Sequence, residues 1–444
     1  MDFELEDVAA ATGGEAVGAA ATVTAVGIDT RDLGAGWLFV ALVAERDGHD
    51  FLADAVDSGA AAALVSMADA CPAELPAVVV SDTMRALQDL GRAARSRLTD
   101  NVVAVTGSVG KTSVKDLAAA AIGGAWSVHA SERSFNNEIG VPLTLANAPE
   151  DVDAVVVEMG ARGHSHVSDL CAIARPTIGI VTSVSGAHIE QFGSLDEVAR
   201  AKGELVEALP VEGTAVLNAD DPRVASMAER SQGRVLTYGV EGGAVRVVDL
   251  ELDDELRPRF TLLSPWGKAD LRLAVRGAHN AANAAAAAAA ALAMDVPLDA
   301  VVAGLSTAEL SPWRMEVTRT ASGAVVINDA YNANPASVRA ALAALEAVPA
   351  NRRVAVLGLM AELGPAGAAQ HRQIGAWAHE RGIEVLAVAA PDYGGEDVDD
   401  VEAALERLGA LGSTDAVLVK GSRVAGLERL AQDLAARRGP GSVV

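Results

Sequence analysis

The residue types and spacing that could do chemistry are densest in one run, Val102-Val-Ala-Val-Thr-Gly-Ser-Val-Gly-Lys-Thr-Ser113. Four apolar residues, Val102 to Val105, predict a short buried strand, Thr106 to Gly110 a tight turn, and Lys111 the start of a helix running to about Ile122. A strand that breaks into a glycine turn and feeds a helix leaves several backbone N–H groups pointing at one spot. The helix dipole adds partial positive charge there, so the spot suits a phosphate. Gly107, Ser108, Val109, Gly110, Lys111, Thr112 and Ser113 would form that cradle for a nucleoside triphosphate. Lys111 would reach the terminal phosphates, and the Thr112 hydroxyl would hold a Mg²⁺ bridging them. The pattern is a shortened form of G-x-x-x-x-G-K-[ST], because Val105 stands where its first Gly would be.

Other polar residues follow apolar runs, as residues at the carboxyl ends of parallel strands do. Glu158 ends Ala154-Val-Val-Val-Glu158 and could bind Mg²⁺ directly or through water. His188 follows the run Ile178 to Thr182, and Lys202 lies on a predicted helix. Residue type alone leaves both open, since a lone histidine is commonly structural and a lone lysine commonly solvated. Gly163-His164-Ser-His166 tempts a metal reading, but two histidines in a polar loop without acidic partners are expected to be exposed. Gly27-Ile-Asp-Thr-Arg31 reads equally as a capped turn with a surface arginine or as a contact for a pyrophosphate or sugar.

Those side chains must be positioned by a chain of 444 residues, enough for two to four domains. Half the residues are apolar but only 3% aromatic, so the cores must be built from Ala, Val and Leu. A formal net charge of −25 argues against nucleic acid and anionic membrane as partners. An anionic substrate would therefore need local Lys, Arg or metal ions. Two cysteines, Cys71 and Cys171, make neither a disulfide framework nor a zinc site, which fits a reducing cytoplasm. The acidic start, Met1-Asp-Phe-Glu-Leu-Glu-Asp, lacks the features of a signal peptide. The run Ala284 to Ala291 is too short to span a bilayer and predicts a tightly packed helix, with no membrane insertion.

The fold class is α/β, in three domains. Residues 1–97 form a small N-terminal α/β unit with strands at Ala25–Asp29, Leu38–Leu42, Ala62–Val65 and Ala77–Val80, and helices at Phe51–Ser58 and Thr83–Leu98. Residues 98–309 form a central P-loop ATPase-type parallel sheet, continued by Thr214–Asn218 and Val235–Tyr238. An antiparallel appendage is expected over 244–276, and a closing helix from His279 to Met294. Residues 310–444 read βαβα, with strands at Val325–Asn328, Arg353–Leu357, Val385–Val388 and Ala416–Val419. This last unit is Rossmann-like but has no G-x-G-x-x-G, so no nicotinamide cofactor is expected. Asp392 to Asp400 is expected to be an acidic surface loop.

Taken together, the chain resembles the Mur ligases, the ATP-dependent amide-forming enzymes of peptidoglycan precursor synthesis, over essentially its whole length. The resemblance rests on Thr106–Ser113, Glu158-Met-Gly, Ala187-His188, Ala201-Lys202-Gly-Glu and Gly277-Ala-His-Asn280-Ala-Ala-Asn283. Ser134-Phe-Asn-Asn-Glu-Ile-Gly-Val-Pro-Leu-Thr144, Asp329-Ala-Tyr-Asn-Ala-Asn-Pro335, Asp29-Thr-Arg31 and Leu38–Leu42 narrow it. They point to the member that adds D-alanyl-D-alanine to UDP-N-acetylmuramoyl-tripeptide.

The resemblance implies roles. Glu158, His188 and a carbamylated Lys202 would serve two Mg²⁺ ions, with Lys111, Lys202 and His188 as the catalytic set. Asn280 and Asn283 would lie near the adenine of ATP, and Arg314 and Asp329 would reach the nucleotide from the linker and last domain. Thr30, Arg31, Asn136 and Asn137 would meet the UDP-muramoyl-peptide, while Lys420 and Arg423 would add positive charge. The last domain would swing in for catalysis, and the chain would act as a cytoplasmic monomer.

There are departures: Ser183 replaces the Asn usual after the threonine of its strand, and Gly163–His166 deviates locally. Asn218-Ala-Asp-Asp-Pro-Arg223 resembles a diaminopimelate-recognition motif of a sister ligase, but it stands in the central domain, where a general family turn occurs. Two other readings stay open at this stage. A folylpolyglutamate synthase looks similar around the loop but lacks the Asp29-Thr-Arg31 domain, and a nucleotide-binding regulatory module need not keep a two-metal site.

Overall fold

The structure is a computed structural model that describes residues 1–186 and 190–436 in full, together with the backbone of Ile189. Among the described residues, three large sheets of five, nine and six strands follow one another along the chain. The five-stranded sheet runs, in spatial order, Glu15–Val17, Ala77–Val79, Ala62–Val65, Leu38–Val40 and Val26–Gly27, parallel except for its first pair. The helix Leu5–Thr12, not anticipated in the acidic N-terminal run, buries Leu5, Val8 and Ala9. Only those three residues carry its apolar period, and Glu4 at its N-cap makes no side-chain cap bond.

The central sheet is parallel over seven strands: Val128–Ala130, Ala154–Glu158, Val102–Thr106, Ile178–Val181, Thr214–Asn218, Arg234–Gly239 and Val245–Leu252. Pro258–Ser264 and Gly267–Arg272 extend it antiparallel. The expected appendage is therefore continuous with the sheet. Tyr238 pairs with Val245 and Gly239 with Arg246 in parallel register, which joins the hairpins to the ATPase-type core.

Strand Val102–Thr106 is buried on both faces, as a central parallel strand should be. Val103 and Val105 point to one face, where helices Lys111–Gly123 and His279–Ala293 pack on each other. Ala284 to Ala291 are all fully buried in that contact. Side chains this small let two helices and a sheet approach closely. No helix among the described residues is long and apolar enough to cross a membrane.

The last sheet runs Glu316–Arg319, Val325–Asn328, Asp415–Lys420, Arg352–Leu357, Glu384–Val388 and Glu396–Val398, antiparallel only at its first pair. The stretch Asp392–Asp400 is not simply a loop. Glu396–Val398 is an edge strand beside Leu386–Val388, and Tyr393 is buried with its hydroxyl donating to the Gly358 carbonyl at 2.9 Å. Its acidic composition suits a solvated edge, which hid the strand.

Candidate active site

Strand Val102–Thr106 ends in the turn 107–110, and helix Lys111–Gly123 follows directly. Val105 lies within the strand rather than the turn, which accounts for the shortened glycine pattern. Gly107 has φ 146°, and a Cβ there would stand 1.8 Å from the Thr182 Oγ1, so only glycine fits. Gly110 caps the helix at φ 86°. The turn is braced from the next strand. Ser108 N–H donates to the Ser183 carbonyl at 2.8 Å, Val109 N–H to Ser183 Oγ at 3.1 Å, and Thr182 Oγ1 to the Val109 carbonyl at 2.6 Å. The serine that departs from the family pattern thus ties down the loop. Lys111 Nζ donates to the Gly107 carbonyl at 2.9 Å. Burial holds its ammonium below the ordinary lysine range; Glu158 draws it back up, Arg314 pushes it down, and Glu362 draws it up.

Thr112 Oγ1 donates to Glu158 Oε2 at 2.6 Å, and the other oxygen of that carboxylate accepts from Asn136 Nδ2 at 2.8 Å. Glu158 ends its strand almost wholly buried, at 1% exposure. Arg314 reaches across from the linker, donating from Nη2 to Thr112 Oγ1 at 2.7 Å, and its guanidinium stacks 4.3 Å from the Tyr331 ring centroid. Ser134 Oγ hydrogen-bonds Tyr331 Oη. These groups line a cavity of about 590 Å³ that also takes in Asn280, Asn283, Asp329, Lys420 and Arg423. Asn280 Nδ2 donates to the Arg276 carbonyl at 2.7 Å and its Oδ1 accepts from Asn283 Nδ2 at 2.7 Å, which fixes the Asn283 amide beside Gly110.

Lys420 does not carry loose charge. Its ammonium donates to the Asp329 carboxylate at 2.5 Å, the Asn332 carbonyl at 2.9 Å and the Asp329 carbonyl at 3.3 Å, which fixes the turn after Val325–Asn328. Asp329 also accepts the Met315 N–H at 3.1 Å, linking that turn to the residue after Arg314. Arg423 stacks 4.3 Å from the Trp313 ring centroid and pairs with Glu428 at 3.1 Å.

Some expected residues lie elsewhere. Lys202 sits on helix Leu195–Glu207, 3% exposed and outside the cavity lining; burial, with Lys111 as a second cause, holds its amine well below the ordinary lysine range. It is no solvated surface lysine. His188 lies outside the described residues. Thr30 and Arg31 do not reach the cavity: Arg31 is exposed and folds back on Asp29, donating from Nε at 2.8 Å. Asn137 Oδ1 accepts from the Gly140 N–H at 2.9 Å, at the start of helix Gly140–Ala146.

The histidines of Gly163–His166 do find acidic partners, supplied by other segments. His164 pairs with Glu197 at 3.2 Å, and the partly buried His166 with Glu138 at 3.1 Å. In 218–223, Asp220 accepts the N–H groups of Val240, Glu241 and Gly242, while Asp221 accepts from Val184 and caps the helix Pro222–Ala225. Both carboxylates are committed to a structural turn.

Residues 105–291 match the family description "Mur ligase middle domain", and residues 313–441 match "Mur ligase, glutamate ligase domain". A UDP-N-acetylmuramoyl-tripeptide–D-alanyl-D-alanine ligase of Mycobacterium bovis is 39% identical over 94% of this chain and 93% of its own length. This chain belongs to the Mur ligase family. The solved structure of MurF from Acinetobacter baumannii superposes with a TM-score of 0.88 at 29% identity, over 98% of this chain and 99% of that one. The MurF ligase of Thermotoga maritima, solved with ADP, gives 0.81 at 25% identity, over 93% and 97%.

In this Mur ligase, sequence reasoning passed over Asn147, at the C-terminal end of helix Gly140–Ala146. Its side chain joins the central unit to strand Val26–Gly27, one residue before Ile28-Asp29-Thr30-Arg31. It also passed over Lys115 and Asp116, whose only signal was two further charges on the helix that Lys111 opens.

Proposed function

We propose that this Mur ligase joins D-alanyl-D-alanine to UDP-N-acetylmuramoyl-tripeptide at the expense of ATP, through an acyl phosphate, as a step of peptidoglycan precursor synthesis in the cytoplasm. One observation carries the reading. The Ser134–Thr144 and Asp329–Pro335 segments, far apart in sequence, meet at the phosphate loop through Ser134 and Tyr331. From there helix Gly140–Ala146 runs back to the N-terminal unit at Asn147. A long substrate can therefore lie with its nucleotide end toward Thr30 and Arg31 and its peptide end toward Asn136.

A carboxylate is a poor electrophile, so it must first take the γ-phosphoryl group of ATP. The amine of the dipeptide then attacks the acyl carbon, and phosphate leaves. The glycine turn and the first N–H groups of helix Lys111–Gly123 fit a triphosphate, because a helix start leaves N–H donors without intrahelical partners. Lys111 and Arg314 neutralise the charge that builds as carboxylate and phosphate approach. Asn280 and Asn283 would lie near the adenine, and Asp329, held by Lys420, would reach the nucleotide from the last domain.

Thr112 and Glu158 are hard, buried oxygen donors, and this donor set fits Mg²⁺. When bound, the ion supplies further charge neutralisation at the phosphates. Lys202 fits a ligand role only as a carbamate: an ammonium would repel the ion, and burial lowers the amine's affinity for a proton, which favours the form that takes up carbon dioxide. The division at 97/98 and 309/310 assigns muramoyl-substrate binding to the first unit, ATP to the second and closure to the third.

Phosphate release measured with each component omitted in turn tests the assignment. Release should require ATP, Mg²⁺, the UDP-muramoyl-tripeptide and D-alanyl-D-alanine together. Turnover with glutamate and a folate, but not with the dipeptide, would overturn it.

A further inference from the structure

Lys115 and Asp116 lie on the phosphate-loop helix, one turn beyond Lys111 and Thr112, and point to two different segments. Their side chains pair at 2.6 Å, with side-chain exposures of 3% and 12%. Lys115 Nζ donates to the carbonyls of Ser131 at 2.7 Å and Arg133 at 3.2 Å, so it holds the start of the segment that carries Ser134 and Asn136. Asp116 accepts from Ser311 twice, from the backbone N–H at 2.7 Å and from Oγ at 3.1 Å. Ser311 opens the linker that carries Arg314.

The two arms close on each other. From Ser311 the linker runs back along the helix, so that Arg314 donates to Thr112, four residues before Asp116. Four residues of helix rise about 6 Å, within the roughly 10 Å that three linker residues can span. At the far end Tyr331 receives both arms, Ser134 at its hydroxyl and Arg314 over its ring. Arg314 Nε is buried without a hydrogen-bond partner. The guanidinium is thus held by Thr112, by stacking, and by the anchorage of its own linker.

We infer that the Lys115–Asp116 pair is a brace between the substrate segment and the linker, and that Asp116 is a positioning residue that delivers Arg314 to the phosphate loop. This rests on the ligase reading above. A carboxylate serving only to neutralise Lys115 would not need to grip Ser311, and the grip sets where the linker pivots.

The test uses the full chain, spin-labelled at two exposed positions, Glu229→Cys and Glu380→Cys, in a Cys71→Ser background. Inter-label distances are read without turnover, and steady-state kinetics are measured alongside. Asp116→Ala should broaden the distance distribution and lower kcat at least about tenfold, while KM for ATP moves less than about threefold. Asp116→Asn, which still accepts from Ser311, should restore most of the narrow distribution. Ser311→Ala keeps the Lys115–Asp116 pair and hence the fold, and should shift distances and kcat in the same direction by less. Wild-type distances and kcat in both Asp116→Ala and Ser311→Ala would overturn the brace, as would lost turnover with unchanged distances. A chain that released no phosphate with the dipeptide would refute the ligase reading alone, because the distances would still report on the brace.

Discussion

Asn147 Oδ1 accepts the Val26 N–H at 2.8 Å while its Nδ2 donates to the Val26 carbonyl at 2.9 Å, so one side chain completes an edge strand of the N-terminal sheet. Val26 is buried, and its backbone has few other ways to be satisfied. Asn147→Ala should therefore lower stability by about 1–3 kcal/mol, the cost of buried polar groups left unpaired. Under the proposed function it should also raise KM for the muramoyl substrate more than KM for ATP. Urea unfolding and initial rates check both; a shift confined to ATP would place the N-terminal unit off the substrate path.

Lys111→Ala should reduce turnover at least about a hundredfold, the scale of removing one preorganised charge from a transition state. Thr112→Ala removes the hydroxyl that bridges Glu158 and Arg314, and should raise the Mg²⁺ concentration needed for half-maximal rate more than it weakens nucleotide binding. Titrating Mg²⁺ at saturating ATP separates the two. Near-normal turnover by Lys111→Ala would refute a phosphate-binding role for the loop.

Lys202 separates stability from function. A buried amine replaced by an apolar chain of similar length is commonly neutral or stabilising, so Lys202→Met should match or exceed the wild-type Tm. Its turnover should nonetheless be nearly abolished. The native Lys202 amine has a lowered pKa, so between that value and the ordinary lysine range the unfolded chain binds a proton the native one lacks. Wild-type stability should rise with pH in that window, relative to Lys202→Met, in carbonate-free buffer. Short carboxylic acids should restore part of the rate of Lys202→Ala; full activity of that variant would sink the carbamate.

Asp253 gives the same sign of slope for a different reason, because here the native fold favours the charged form. Burial pushes its carboxyl up, but N–H groups of Arg257 and Glu255 and the guanidiniums of Arg272 and Arg257 outweigh this and hold it far below the ordinary carboxylate range. Its contribution is complete above the unfolded carboxylate pKa of about 4 and fades as pH falls below it. Asp253→Asn should cost roughly 1.5–3 kcal/mol at neutral pH, the scale of hydrogen bonds to a charged group. It should also flatten the acid limb of the stability curve. An unchanged acid limb, followed by urea unfolding at a series of pH values, would contradict this.

Local sequence by itself determined the phosphate loop, because strand, glycine turn and helix are written within twelve consecutive residues and each obeys short-range backbone rules. It also determined the parallel strands, whose apolar runs reflect burial on both faces, and the packed alanine helix. What lay beyond it were contacts between distant segments, which no local pattern encodes. The acidic partners of His164 and His166 come from other segments, and the acidic edge strand Glu396–Val398 reads as loop until its neighbour is known. Thr30 and Arg31 stand apart from the cavity, Lys420 is neutralised by Asp329, and Lys202 is buried, each because of neighbours far away in the chain. Only the tertiary structure decided which side chains share one low-dielectric space. Charge and burial act through distance in space, and the sequence states only distance along the chain.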